Sequence, residues 1–148
     1  MVSISKILFP TDFSKNSEQA LKYATDIAEK YGAALYIIHV TLGVNQYLAY
    51  DVTAYIPEDM KENERKKLQE NLEKLPSAEL GKPSSVQHEV LEGLPVPEIL
   101  QYIKDNDIDV VVMGTHGHTG LKHLVMGSVA ENIVRSSTVP VLTVHAEE

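Results

Sequence analysis

The chain has 148 residues, a formal net charge of −8 and no cysteine. That length suits one domain, expected to span 1–148 and to bury ~70% of the surface its unfolded chain would expose. The acidic balance weighs against general nucleic-acid binding, and the missing cysteines exclude disulfides, thiolate metal sites and a Cys nucleophile.

A hydrophobic share of 43% with 23% charged residues is that of an ordinary globular protein. No apolar run approaches the ~18 residues that span a bilayer. The first residues, Met1 to Phe9, lack the charged leader and cleavage site of a secretory signal. A cytoplasmic protein with no membrane partner is therefore expected.

The elements alternate. Ile4–Phe9 reads as a strand ended by Pro10. Between Ser14 and Tyr31 the apolar positions Ala20, Leu21, Ala24, Ile27, Ala28 and Tyr31 recur at helical spacing, with Gly32 as the stop. Ala34–Val40 is a nearly continuous apolar run, the mark of a strand covered on both faces. Thr41 to Pro57, with Tyr47, Tyr50 and Tyr55, shows no period. Pro57 to Leu75 carries a narrow stripe of Met60, Leu68, Leu72 and Leu75 on a charged background, so a largely solvated helix is expected. Val86–Leu91, Ile108–Met113 and Val139–Val144 complete five strands, with helices over Pro97–Lys104 and Ser128–Ser137 between them. Such alternation predicts a parallel sheet with helices on both faces, and ligands in such folds bind beyond the carboxyl ends of the strands.

The densest chemistry lies after the fourth strand. Three glycines at three-residue intervals, Gly114, Gly117 and Gly120, let backbone approach a ligand closely. Gly127-Ser128 then opens a helix whose free N–H groups suit an anion. Ser128-Val-Ala-Glu131 also fits a capping box, which would occupy the serine hydroxyl within its own helix. Asp12, with Pro10 and Thr11 past the first strand, reads either as a turn former or as an acceptor for sugar or base groups. His116, His118 and His123 invite a metal reading, but the His-x-His pair has no third ligand at a supporting position, so no metal held by protein side chains is expected. His116 and His118 suit phosphate contacts. His39 reads as a satisfied core histidine, and His88 and His145 carry no signal.

Gly114-x2-Gly117-x9-Gly127-Ser128 resembles the signature of the nucleotide-binding branch of the universal stress protein family. Ile7-Leu-Phe-Pro-Thr-Asp12-Phe-Ser14, Ile38-His-Val40, Asp109-Val-Val-Val-Met-Gly114 and Ser137-Thr-Val-Pro-Val-Leu-Thr-Val144 extend the likeness over nearly the whole chain. The resemblance implies a five-stranded parallel sheet of order 3-2-1-4-5 with an adenine nucleotide alpha-hydrolase-like, Rossmann-type fold. It implies a stress-response regulator that binds ATP, or ADP or AMP, with Mg2+ or Mn2+ on the phosphates. Asp12 would meet the adenosine end and the Val40 backbone the adenine edge. Met113, Gly114, Gly117, Gly127, Ser128 and the Val129 N–H would surround ribose and phosphates. Family members commonly form a homodimer, here through Val139–Val144.

One position departs from the family pattern: His118 stands where many relatives carry Arg or Lys. A neutral imidazole there implies that triphosphate affinity strengthens as pH falls from about 7.5 toward 6. Two alternatives stay open. A slow ATPase or nucleotidyl transferase would need Asp12 or His116 as base, with Lys122 unsupported beyond the loop. A nucleotide-free interaction module would use the loop only structurally.

Overall fold

The computed structural model describes residues 1–43, 57–116 and 126–145. Five strands form one parallel sheet: β1 (Lys6–Pro10), β2 (Ala34–Thr41), β3 (Ser85–Glu92), β4 (Val110–Gly114) and β5 (Val141–Val144). Their order is β3-β2-β1-β4-β5, as the resemblance implies. Among the described residues four α-helices accompany them: α1 (Lys15–Tyr31), α2 (Glu58–Glu73), α3 (Pro95–Asp105) and α4 (Ser128–Ser136). The Thr41–Pro57 segment and the loop glycines Gly117 and Gly120 fall largely or wholly outside the described residues, as do His118, Lys122 and His123.

Alternation along the strands divides the core in two. Ile7, Phe9, Leu35, Ile37, Val90 and Val112 face α1 and α2, meeting Ala20, Leu21, Ala24, Ala28 and Leu72. Leu8, Tyr36, Ile38, Val111 and Met113 face α3 and α4, meeting Ile99, Tyr102, Ile103, Ala130 and Ile133. Strands sandwiched between helices thus bury both faces, which makes β1, β2 and β4 mostly apolar, while edge strand β3 carries Ser85, Gln87, His88, Glu89 and Glu92.

Helix ends follow local chemistry. Ser14 caps α1, its hydroxyl accepting from the Ser17 N–H at 3.2 Å, while Gly32 ends it in the left-handed conformation at φ 63°. The third helix starts two residues before its expected Pro97, with Pro95 in its first turn, where a missing N–H costs nothing. In α2 the expected stripe is shorter than its pattern: Leu72 is fully buried and Leu68 and Leu75 pack on the core, but Met60 is 60% exposed.

Two expectations are corrected. The last strand begins at Val141, not Val139. The Ser137 hydroxyl accepts from the Val139 N–H and donates to the Val139 carbonyl, so a local turn satisfies both backbone groups that a ladder would need. Gly127, not Ser128, caps α4, and Ser128 is its first helical residue. The capping box is therefore absent, and Glu131 instead pairs with Arg135 at 2.9 Å.

Candidate functional site

Strand order reverses between β1 and β4, and the chain leaves these two strands toward opposite edges of the sheet. A crevice opens beyond their carboxyl ends. Pro10, Thr11, Asp12, Val40, Met113, Gly114, His116, Gly127, Ser128 and Val129 all line this one cleft. These are ten of the twelve residues picked out above. Gly117 and His118, the other two assigned to the nucleotide, lie outside the described residues, as does Gly120 of the glycine loop.

The β1 wall is a tight turn. Asp12 Oδ1 accepts from the Ser14 N–H at 2.9 Å, and Thr11 Oγ1 accepts from the Phe13 N–H at 3.0 Å. Phe13 takes φ 63°, a conformation costly for a side chain with a Cβ. Its ring meets His39 at a centroid distance of 4.8 Å, and His39 Nδ1 lies 2.7 Å from the Thr11 carbonyl oxygen. Asp12 thus serves the turn and lines the cleft at once. The two readings of it are not exclusive.

The β4 wall closes on itself. The Gly127 N–H donates to the Thr115 carbonyl at 2.6 Å, so one bond clasps the departure from β4 to the start of α4. The next N–H groups of α4, at Ser128, Val129 and Ala130, have no helical carbonyl one turn back. Ser128 is exposed and spends no hydroxyl on capping. An amide-lined positive helix end therefore borders the cleft. His116 Nδ1 lies 2.8 Å from Thr115 Oγ1. Its Nε2 is buried without a partner, the one such side-chain atom among the described residues.

The opposite wall is apolar. Ile99 and Pro95 of α3, Ala130 of α4, Met113 and Val40 make a slot suited to a flat ring. Pro95, Ile99, Ser17, His39, Thr115 and Ala130 line the cleft without having been singled out from sequence. Ile99 is a core residue of α3, and only the fold shows that its helix also covers the switch point. His39 is satisfied as expected, yet it lies at the cleft rather than deep in the core. Among the described residues no group of three or more His, Asp or Glu gathers as metal ligands.

Fold and cleft together define a doubly wound α/β protein with a loop-and-helix site at its switch point. The universal stress protein family model matches residues 3–145, and the chain belongs to that family. Universal stress protein MJ0531 of Methanocaldococcus jannaschii is 35% identical over 142 residues, covering 94% of this chain and 81% of the relative. The solved structure of MJ0577, from the same organism, superposes with a TM-score of 0.81 at 29% identity, covering 99% of each chain. The universal stress protein of Archaeoglobus fulgidus, solved in complex with dAMP, shares the fold with a TM-score of 0.66 at 17% identity, covering 97% of this chain and 99% of that one. No helix among the described residues is long and apolar enough to cross a membrane.

Proposed function

We propose that this protein is an ATP-binding regulator of the stress response, with the nucleotide acting as a conformational ligand. The observation that carries this reading is the convergence of four chain segments on one cleft. The turn after β1, the end of β2, the exit of β4 and the start of α4 meet there around an apolar slot. Adenine fits the slot formed by Val40, Ile99, Met113 and Ala130. Asp12 accepts from the adenosine end, and the N–H groups of Ser128 and Val129 meet phosphate oxygens. His116 Nε2, buried and unpartnered, gains its hydrogen bond from the ligand. The Archaeoglobus relative's dAMP supports an adenine nucleotide in this fold. In this reading a divalent ion, Mg2+ or Mn2+, rides on the phosphates.

Turnover is not part of this reading. Asp12 holds the β1 turn through Oδ1 on the Ser14 N–H, and His116 Nδ1 lies beside the Thr115 hydroxyl, so this reading assigns both to shaping the cleft and holding the ligand. Gly127→Val tests the site, because a branched side chain there crowds the helix end where phosphate would sit. Binding should be lost while the fold survives, read by calorimetry alongside circular dichroism. Unchanged affinity in that variant contradicts the assignment.

A further inference from the structure

Asn16, in the first turn of α1, is polar, only 6% exposed, and not among the residues lining the cleft. Its side-chain amide is engaged at both ends. Oδ1 accepts from the His116 backbone N–H at 2.7 Å, and Nδ2 donates to the Val144 carbonyl at 3.1 Å. One residue thus bridges the segment leaving β4 for the glycine loop and the last residue of edge strand β5.

Gly114 belongs to the same arrangement. A Cβ built there would stand 2.7 Å from Asn16 Oδ1, 3.1 Å from its Cγ and 3.2 Å from its backbone oxygen. Two of those three atoms are in the side-chain amide. Gly114 is therefore bare on that side to admit Asn16, not a ligand. A primary amide carries its acceptor and its donor on two separate atoms, so a stem this short reaches two backbone groups at once. Aspartate has no donor for Val144, and alanine has neither group.

We infer that Asn16 is a positioning residue for the cleft. It holds His116 and the start of the glycine loop in fixed relation to the end of β5. A ligand in the cleft that shifts His116 is thereby registered at the edge strand. The tether itself stands on the geometry alone, and its response to ligand rests on the nucleotide reading proposed above.

The test is a double-substitution cycle on the full chain: wild type, Asn16→Ala, Gly114→Ala and the pair. His116 amide exchange is followed by NMR without ligand, and the Val144 methyl signals are followed through a Mg-ATP titration. Asn16→Ala should speed His116 exchange roughly tenfold by removing its acceptor. Gly114→Ala should do the same by displacing the amide. The pair should show one effect rather than their product, because alanine at 16 removes the two atoms nearest the new Cβ and leaves only the backbone oxygen at 3.2 Å. A merely structural glycine would give multiplying penalties instead. The Thr115 N–H also donates to the Val144 carbonyl, at 3.1 Å, so the Val144 signals should move with Mg-ATP in wild type and move clearly less in Asn16→Ala at saturation. Equal His116 protection in Asn16→Ala, multiplying penalties in the pair, or an intact Val144 response overturns the proposal. Should Asn16→Ala fail to fold, Gly114→Ala alone supplies the exchange readout. A wild type that binds no Mg-ATP sinks the proposed ligand, and the ligand-free exchange arms still decide the tether.

Discussion

Histidines show how place decides what a residue does. His88 carries no sequence signal, yet its Nε2 reaches the Leu75 carbonyl at 2.5 Å and pins the segment after α2 to β3. His88→Ala should lower stability by about 1–3 kcal/mol by stranding that carbonyl, with nucleotide affinity unchanged, read by urea denaturation and calorimetry. Tyr102 is the other telling side chain. Burial, then the charge of Glu89 and a hydrogen bond to it, push its phenol well above the ordinary tyrosine range. The folded state therefore favours the protonated phenol. Its contribution is complete below the unfolded tyrosine pKa of about 10 and is lost as pH rises beyond it. Tyr102→Phe should flatten that part of the alkaline decline in urea midpoint between pH 9 and 11, values taken as roughly bracketing the unfolded pKa. An identical decline in both proteins contradicts the assignment.

At the scale of elements, burial separates what the apolar pattern alone runs together. In α2, Leu72 is fully buried against the sheet while Met60 stands in solvent, although both belong to one stripe. Leu72→Ala should cost about 2–5 kcal/mol, and Met60→Ala should stay within about 0.5 kcal/mol, both read from chemical denaturation. The inner strands β1, β2 and β4 were legible because two-sided burial forces most positions apolar, and α1 was legible because Ala20, Leu21, Ala24 and Ala28 repeat with the helical period. Ends were less so. Whether Ser128 caps its helix or starts it turns on one backbone torsion, and Gly127 took the cap with ψ 153°. Val139 looked like strand, but the Ser137 hydroxyl satisfied its backbone first. The Asn16 bridge was invisible for another reason. Its partners lie 100 and 128 residues away, and no local pattern encodes such a contact.

For the whole molecule, parallel order places β5 at one edge of the sheet with Leu142 40% exposed beside it. We propose that this edge pairs with its copy about a two-fold axis, which closes the assembly and removes the open ladder. Leu142→Asp should convert a dimer to a monomer in sedimentation, and a monomeric wild type would contradict the pairing. The cleft depends on the whole fold in the same way. Asp12 and Gly114 were readable as candidates, but only the adjacency of β1 and β4 brings them to one crevice. The apolar slot needed α3 as well. The most direct test of the nucleotide reading is to denature the purified protein, identify any released nucleotide by mass spectrometry, and titrate the emptied, refolded protein with Mg-ATP in a calorimeter. The account predicts adenine nucleotide in the extract, or binding at one site per chain with a Kd on the order of micromolar, about −8 kcal/mol. An empty extract together with no heat of binding at roughly millimolar ATP, where even a site worth only about −4 kcal/mol would be half filled, would contradict it.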